Sequence, residues 1–354
     1  MTSEINSPIL KTAVIGLGRI AWSFHIPQII KHPGFELAAV VDPLPERLSE
    51  ASDKFNPGHS FTSCEEMYTK LKPNLVVIAS PTMFHRQQVL QAFEHGCDVF
   101  CDKPLSLSLA ETDEIIGAMN KSGRKLMVYQ PHRATSETSA IKSILSEGLL
   151  GKIYLIRHSI SDFNRRADWQ AFLRNGGGML NNYGAHYIDQ MLYLNQSGFK
   201  KISCELRAIA TLGDADDVVR AIITAENGVI FDLDINMAAA QKMPPWYIAG
   251  NCGAAIFDSE SKEWNLRYFE PADLSQVNLQ EGLAAANRSY GNGEKIPWRT
   301  KVVRNKYFHG IDFYEKCWEY FARGCPPFVP LCDTREVMRT ISECHRDAGR
   351  NGTD

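Results

Sequence analysis

Residues 12–21 read Thr-Ala-Val-Ile-Gly-Leu-Gly-Arg-Ile-Ala, and this stretch decides the fold of the first part of the chain. Its apolar run is typical of a strand buried in a parallel sheet. Gly16, Gly18 and Ala21 then follow the G-x-G-x-x-A spacing of a turn that receives a dinucleotide pyrophosphate at a helix N-terminus. An ordinary glycine turn between a strand and a helix is the alternative explanation for so short a pattern.

Residues 36–41 predict a second strand, which ends at Asp42. A carboxylate at this position accepts hydrogen bonds from the adenosine ribose diol and repels a 2′-phosphate. The sequence therefore favours NAD over NADP as the cofactor, although Arg47 lies near enough in sequence to weaken the preference. Arg19 and Ile20 lie inside the glycine turn, where we expect contact with the cofactor.

The composition is that of an ordinary soluble protein. The chain has 354 residues, enough for two domains, and a formal net charge of −3. Because no block of Lys or Arg and no long apolar run stands out, we expect neither a nucleic-acid partner nor a membrane partner. Residues 1–8 lack the features of a secretion signal, which favours a cytoplasmic location. The nine cysteines form no C-x-x-C pair, so we expect reduced thiols and no metal site.

Three further apolar strands are predicted at residues 75–79, 98–101 and 125–130, with helices between them. This alternation predicts an α/β domain with a doubly wound parallel sheet. Ligands of such sheets bind beyond the carboxyl ends of the strands. The residues at these ends that we expect on the cofactor side are Ser80, Pro81, Thr82, His85, Asp102, Lys103 and Gln130.

Lys103 brings reactivity to this group of residues. An ammonium beside a nicotinamide can stabilise an alkoxide or polarise a carbonyl. The alternative is a solvated lysine at the end of a strand. His85 is expected to pack or to lie on a helix surface rather than to catalyse, and Thr82 is expected to cap the helix that follows it.

Beyond about residue 134 the pattern changes to strands joined by short turns, which predicts an α+β domain with a large, mainly antiparallel open sheet. The predicted strands are residues 152–161, 204–211, 218–225, 229–236, 246–250 and 264–269. Residues 270–305 are rich in Asn, Gly and Gln and predict a long irregular loop. The chain therefore divides into a dinucleotide-binding domain, residues 1–133, and a substrate-binding domain, residues 134–354.

Residues 176–189 read Gly-Gly-Gly-Met-Leu-Asn-Asn-Tyr-Gly-Ala-His-Tyr-Ile-Asp. Three consecutive glycines let the backbone run close to another group, and helical spacing then puts Asn182 and His186 on one face. A histidine that faces a cleft is a natural proton acceptor, because its pKa is ordinarily near neutrality. A core histidine packed beside Tyr183 and Tyr187 is the alternative.

Taken together, these motifs resemble those of the glucose–fructose oxidoreductase/inositol dehydrogenase/rhizopine catabolism (Gfo/Idh/MocA) family. The resemblance rests on the glycine turn, on Asp-Lys-Pro at residues 102–104 and on Gly-Gly-Gly…Gly-x-His at residues 176–186. It includes Ser-Pro-Thr-Met-Phe-His at residues 80–85, where the family usually has Thr-Pro-Asn-x-x-His. The likeness extends over residues 11–349 and implies a Rossmann domain followed by a domain with a large open sheet.

The resemblance also implies roles for individual residues. The catalytic lysine of the family corresponds to Lys103, its histidine to His186, and its aspartate to Asn182. The first departure from the family pattern is that the usual Glu-Lys-Pro is Asp-Lys-Pro here, and the shorter carboxylate side chain of Asp102 can still orient the lysine or the ribose. The second departure is larger, because an amide at residue 182 can form hydrogen bonds but can neither take a proton nor carry a charge.

The activity implied by the resemblance is hydride transfer between NAD(P) and a secondary alcohol or ketone of a sugar, an inositol or a sugar derivative. We expect His186 to accept the hydroxyl proton while Lys103 holds the developing negative charge. The residues expected to line the substrate pocket are Lys103, Trp169, Arg174, Asn181, Asn182, Tyr183 and His186. Two alternatives are an NAD-retaining lyase or glycosidase that oxidises its substrate transiently, and a non-catalytic sensor that binds a dinucleotide and a metabolite.

The resemblance implies less about the substrate than about the fold. Members of the family act on sugars, inositols, nucleotide sugars and other small molecules, so the shared motifs do not identify the substrate of this protein. It further implies that the open sheet of the second domain packs against a symmetry mate, and we expect a homodimer or a homotetramer.

Overall fold

The computed structural model describes residues 8–277, 279 and 294–350. Its first sheet consists of β1 Leu10–Ile15, β2 Phe35–Val41, β3 His59–Phe61, β4 Leu75–Ile78, β5 Asp98–Asp102 and β6 Leu126–Tyr129. All six strands are parallel, in the order β3-β2-β1-β4-β5-β6. The strand order reverses between β1 and β4, which opens a ligand crevice at that point. The predicted doubly wound sheet is confirmed.

Helices pack on both faces of this sheet because its strands are apolar on both sides. Those of the first domain are α1 Ile26–Lys31, α2 Pro45–Phe55, α3 Cys64–Lys70, α4 His85–Glu94 and α5 Leu109–Ser122. Ser108 caps α5, since its side-chain oxygen accepts a hydrogen bond from the backbone N–H of Glu111. Gly123 ends this helix in the left-handed conformation that glycine adopts without strain.

The second sheet has eight strands and is antiparallel except where β7 pairs with β10. Its strands are β7 Ile153–Ser161, β8 Phe199–Arg207, β9 Val218–Ala225, β10 Ile230–Asn236, β11 Trp246–Gly250, β12 Gly253–Asp258, β13 Glu263–Tyr268 and β14 Arg299–Arg304. The remaining helices are α6 Ser136–Ser146, α7 Ala185–Asn195, α8 Phe313–Arg323 and α9 Leu331–Asp347. The order across the sheet is β14-β13-β12-β11-β7-β10-β9-β8. The mainly antiparallel open sheet is confirmed.

Several predicted element boundaries are wrong. The strand predicted at residues 204–211 is β8, which begins and ends earlier. It ends because the backbone N–H groups of residues 209–211 turn to the Asp217 carboxylate instead of a neighbouring strand. Thr82 does not cap α4 but opens a short 3₁₀ turn, Thr82–Phe84. Strands β3 and β12 were not predicted.

The loop predicted at residues 270–305 is also partly wrong, because β14 lies inside it and pairs with β13. Residues 278 and 280–293 of that prediction lie outside the described residues. The described helices include none long and apolar enough to cross a lipid bilayer.

The C-terminal segment returns to the first domain. In α8, Phe313, Tyr314 and Phe321 are buried in the same apolar cluster as Phe100 of β5 and Tyr129 of β6. Because this cluster joins a late helix to an early sheet, α8 belongs structurally with the first sheet. The division of the chain at residue 133 stays a prediction.

Candidate active site

The glycine turn after β1 has the geometry that its sequence requires. Gly16 has a φ of +87°, and a Cβ added to it would lie 2.7 Å from the backbone nitrogen of Ser80. Only glycine fits there for two reasons. A residue with a side chain would be strained at this φ, and its Cβ would clash with the backbone that follows β4. Gly18 differs, since a Cβ at this position would meet no heavy atom within 4 Å. The space beside Gly18 is therefore open to a phosphate group.

Asp42 is buried at the end of β2, with 2% of its surface exposed. Its carboxylate accepts hydrogen bonds from the backbone N–H of Leu17, at 2.8 Å, and of Leu44, at 3.1 Å. The Arg47 guanidinium lies 3.5 Å from the same carboxylate. These contacts fix the carboxylate next to the glycine turn, where a ribose diol can reach its remaining lone pairs.

We expect Gly18→Val to weaken NAD binding by at least about tenfold, because the new side chain fills the space open to the phosphate. The free energy of unfolding should change by less than about 0.5 kcal/mol, since the added atoms meet nothing in the protein. Titration calorimetry with NAD and thermal unfolding measure the two effects. The control is Gly16→Ala, which should instead destabilise the fold; equal NAD affinity in Gly18→Val and the natural protein would contradict the prediction.

The residues after β4 form a rigid support rather than a row of free side chains. The Ser80 hydroxyl donates to Gln88 at 2.6 Å, and Thr82 is buried. His85 is 1% exposed, and its ring nitrogens lie 2.8 Å from the Ser80 carbonyl oxygen and 2.9 Å from that of Pro104. His85 therefore ties the loop after β4 to the loop after β5. These contacts agree with the packing role expected for His85, and its contact with the cofactor stays a prediction.

Two buried oxygens near the ends of β5 and β6 have no hydrogen-bond partner among the described residues. They are Oδ1 of Asp102 and Oε1 of Gln130. The amide nitrogen of Gln130 is occupied, because it donates to the carbonyl oxygen of Ala185 at the start of α7. Buried acceptors without partners are costly unless a ligand or water satisfies them. Together with the open space at Gly18, they fit a dinucleotide that extends from the glycine turn to the end of β5.

Lys103, just beyond β5, contacts the second domain. Its Nζ lies 2.9 Å from the main-chain oxygen of Asn182 and 2.8 Å from the side-chain oxygen of the same residue. Burial lowers the pKa of Lys103 to about 8, an effect opposed by Asp102 and reinforced by Arg166. The amine of Lys103 is thus half-buried at the junction of the two domains, and it can gain or lose a proton near neutral pH.

His186 follows a π-helical turn, Leu180–Gly184, at the start of α7. Its ring stacks on that of His132, with 4.4 Å between the ring centroids and 11° between the planes. Burial holds the pKa of His186 well below its usual value, and the positive charges of Lys103 and protonated His132 lower it further. Its Nδ1 is buried without a partner among the described residues. At neutral pH, His186 is therefore a neutral imidazole close to the Lys103 amine.

The place of the other predicted substrate residues in the pocket stays a prediction, and their contacts are as follows. Arg174 is exposed and stacks on the Phe172 ring, 4.6 Å away. The Asn181 side chain is bound to the backbone of the glycine run and to His345. Tyr183 packs against the apolar core of the second domain. Trp169 begins a short 3₁₀ turn that ends at Ala171. In the described part of the chain, none of these four residues forms a hydrogen bond or a ring contact with Lys103 or His186.

Sequence reasoning missed three residues that the fold brings to this junction. Arg166 and Gln170 follow β7, and Gln170 Oε1 lies 3.3 Å from the Asn182 amide nitrogen. His132 lies in the turn after β6 and stacks on His186. The polar residues beyond the end of β7 were a usable signal for the first two, but no spacing in the sequence connects them to residue 182.

The doubly wound parallel sheet, the glycine turn and the buried Asp42 define a dinucleotide-binding Rossmann domain, and Lys103 at a strand end of that domain contacts a second domain. A family model described as an oxidoreductase family with an NAD-binding Rossmann fold matches residues 10–130. A second model, the GFO/IDH/MocA C-terminal domain, matches residues 138–256. The chain belongs to the Gfo/Idh/MocA oxidoreductase family, which confirms the resemblance and the NAD cofactor.

Individual relatives are distant. The chain is 26% identical to D-glucoside 3-dehydrogenase of Escherichia coli K12 over 283 residues, 73% of this chain and 80% of that protein. It is 23% identical to 2,7-anhydro-N-acetylneuraminate hydratase of Mediterraneibacter gnavus over 325 residues, 84% and 85% of the two chains. In three further curated relatives the match spans 51–66% of their length.

A solved structure of an NAD-binding protein from Listeria innocua has the same fold. It superposes with a TM-score of 0.83 at 22% sequence identity, and the match covers 97% of this chain and 98% of that one. At this identity the likeness supports the fold and carries no substrate assignment.

Proposed function

We propose that this protein is an NAD-dependent dehydrogenase that acts on a secondary alcohol or the corresponding ketone of a sugar-like polyol. The observation that carries the proposal is the contact of the Lys103 amine with Asn182 across the domain junction, at 2.8 and 2.9 Å. The charge of the Lys103 amine also acts on the imidazole of His186, four residues after Asn182, which supports an amine from one domain and an imidazole from the other acting on one substrate oxygen. The dehydrogenase name of the Escherichia coli relative supports a sugar derivative as the substrate.

The residues that would hold the dinucleotide are the glycine turn, Asp42 and the strand-end groups of Asp102 and Gln130. When bound, the nicotinamide supplies the hydride acceptor or donor. The protein contributes orientation, exclusion of water and the management of one proton. Arg19 lies in the helix start after the glycine turn and pairs with Asp168 of the second domain at 3.2 Å.

The two contacts to Asn182 leave one position free on the Lys103 nitrogen. A neutral amine has two N–H groups and a lone pair, whereas an ammonium has three N–H groups. Because two N–H groups are directed at the oxygens of Asn182, the third position is either a lone pair or a proton. Lys103 can therefore take the proton of a substrate hydroxyl, and in the reverse direction return it to the alkoxide.

This proposal revises the roles expected from the sequence, in which His186 was the base. A buried imidazole beside a cationic amine binds a proton poorly, as the lowered pKa of His186 shows. The amide at residue 182 cannot stabilise an imidazolium as a carboxylate would. We therefore propose Lys103 as the proton acceptor and neutral His186 as a hydrogen-bond partner of the substrate oxygen.

The proposal predicts opposite pH dependence for the two directions. Oxidation needs the neutral amine, so kcat/KM for the alcohol should rise with pH through the Lys103 pKa of about 8 and then level off. Reduction needs the protonated amine, so kcat/KM for the ketone should fall with pH through the same value. Initial rates in both directions across neutral and alkaline pH measure this. Oxidation that declines above pH 8 would instead make Lys103 a cationic stabiliser.

The test of the function itself is a screen of sugars, inositols and nucleotide sugars with NAD, followed by the near-ultraviolet absorbance of NADH. Net NADH formation with at least one polyol is the expected result. A purified protein that binds no dinucleotide, or that binds NAD but reduces it with no member of the panel, would defeat the proposal.

A second candidate is an NAD-retaining lyase or hydratase that oxidises its substrate transiently. The hydratase name of the Mediterraneibacter gnavus relative favours it. Such an enzyme would turn its substrate over without added NAD and without net NADH. The same absorbance assay, combined with product analysis by mass spectrometry, therefore separates the two functions.

We also propose that the outer face of the second sheet mediates self-association into a dimer or a tetramer. The apolar side chains exposed on this face are Ile222, Ile230, Ile256 and Val302. Replacing Ile222 and Ile256 with Glu should reduce the mass measured by light scattering to that of one chain, because buried unpaired carboxylates oppose association. Ile209→Glu, exposed outside the strands, is the control. A natural protein that is already monomeric would rule the proposal out.

A further inference from the structure

The orientation of the Asn182 amide is determined by residues that follow β7. The Asn182 side-chain oxygen accepts from Lys103, and its nitrogen donates to Gln170 Oε1 at 3.3 Å. Gln170 Oε1 also accepts a hydrogen bond from Arg166. An arginine carries only donors, so Gln170 must turn its oxygen toward Arg166. Asn182 must then present its nitrogen to Gln170 and its oxygen to Lys103.

Arg166 is itself held in place. Its Nη1 lies 3.1 and 3.2 Å from the two carboxylate oxygens of Asp168, and its side chain is 13% exposed. The Asp168 side chain is held in turn by the backbone N–H of Gln170, which donates a hydrogen bond to its carboxylate. The Asp168 carboxylate pairs in addition with Arg19 of the glycine turn. A continuous chain of polar contacts thus runs from the glycine turn to the Lys103 amine.

We propose that Arg166 and Gln170 are positioning residues: they fix the Asn182 amide so that Lys103 keeps one free position on its nitrogen for the substrate oxygen. This inference rests on the proposed function, because it takes Lys103 as the reactive amine. An aspartate at residue 182, as the family usually has, would bring a carboxylate against Gln170 Oε1, which Arg166 prevents from turning away. The arrangement of Gln170 and Arg166 therefore suits an amide donor at residue 182, which Asn182 provides.

Arg166 has a second effect through its charge. The charged and titratable groups that face Lys103 are Asp102 beside it, Arg166 beyond β7, His132 after β6 and His186 on α7. Asp102 favours the ammonium, whereas Arg166 and burial favour the neutral amine. Removing the guanidinium should therefore make the amine easier to protonate.

The test measures the Lys103 amine directly, in the full-length protein without substrate or cofactor. Only an unprotonated amine reacts with acetic anhydride, so the extent of Lys103 acetylation against pH, quantified by peptide mass spectrometry, reports its protonation. In Arg166→Met we expect the profile to move up by about one pH unit, which lowers labelling by roughly fivefold near pH 8 and by roughly tenfold well below it. The matched control is Arg165→Met, which removes the same charge from the exposed neighbouring residue and should leave the profile in place.

A second pair of variants separates position from charge. Gln170→Met loses the acceptor and should lower kcat at its optimal pH by about tenfold or more, with the affinity for NAD retained. Gln170→Glu keeps an oxygen in the same place and should restore kcat to within about threefold, with the pH profile moved upward. Circular dichroism melting confirms that each variant is folded.

The outcomes are distinct for the inference and for the proposed function. An unmoved profile in Arg166→Met, or the same movement in Arg165→Met, would overturn the part assigned to Arg166. Equal rates in Gln170→Met and the natural protein would overturn the part assigned to Gln170. If the labelling profiles move as expected but no polyol is oxidised, the proposed function fails while the effect of Arg166 on the amine stands.

Discussion

Replacing Lys103 with Met is expected to lower turnover by about three to four orders of magnitude. The variant loses both the proton acceptor and the group that stabilises the alkoxide, each of which contributes on this scale. The affinity for NAD should change little, because the glycine turn and Asp42 do not depend on Lys103. Steady-state rates and titration calorimetry with NAD measure the two quantities on the same preparation.

The control for this prediction is Lys103→Arg. A guanidinium keeps the positive charge but cannot be deprotonated at accessible pH, so it can stabilise an alkoxide and cannot accept its proton. Oxidation by Lys103→Arg should therefore stay at least about a hundredfold below the natural rate, although the retained charge should make it faster than Lys103→Met. A Lys103→Arg protein that oxidises at the natural rate would show that charge alone suffices, and a fully active Lys103→Met protein would remove Lys103 from the chemistry.

The sequence was most informative where a short pattern determines a local structure. The apolar runs around β1, β4 and β5 predicted a buried parallel sheet, because only strands covered on both faces are apolar throughout. The missed strands lack this pattern. Strand β3 has three residues at the sheet edge, β12 begins with Gly-Ala-Ala, and β14 is an edge strand with one buried side chain, Val303. These strands form because adjacent strands of the folded sheets supply their hydrogen-bond partners, and the local sequence pattern does not indicate those partners.

The candidate site was partly predictable for the same reason. Lys103, Asn182 and His186 lie in motifs that can be read from the chain, but the contact between Lys103 and Asn182 joins residues 79 positions apart. The proposed assignment of the base to Lys103 depends on burial and on neighbouring charges, which only the folded structure supplies. The proposed positioning role of Gln170 depends on its amide oxygen, rather than its amide nitrogen, facing Arg166. The sequence carries no information about the orientation of that amide.

Loss of Arg133 should cost a large part of the stability of the protein. Its guanidinium is 1% exposed and forms two hydrogen bonds to Asp189 of α7, at 2.6 and 2.7 Å. The same group lies 2.9 Å from Asp333 of α9. One buried cation therefore connects the turn after β6 to two helices of the second half of the chain. One of them, α7, carries His186 three residues before Asp189.

In Arg133→Met we expect the free energy of unfolding to fall by about 3–5 kcal/mol, because the buried Asp189 carboxylate loses its partner. Denaturant unfolding measures this. Without the guanidinium the pKa of Asp189 rises, and protonated Asp189 needs no counter-charge, so the deficit should be smaller in mild acid and grow as the pH rises. Asp333 is 28% exposed and can be hydrated, so it adds less.

The double variant Arg133→Met/Asp189→Leu distinguishes an unpaired charge from lost packing. If the deficit comes from the buried carboxylate, removing it should recover most of the stability and abolish the pH dependence of the deficit, since apolar replacements of buried ion pairs are often neutral. A double variant as unstable as Arg133→Met at every pH would place the loss in packing around Tyr193, whose ring lies 4.9 Å from the guanidinium carbon. Stability regained without regained turnover would then show that the ion pair orients α7 and His186 rather than merely holding the two halves together.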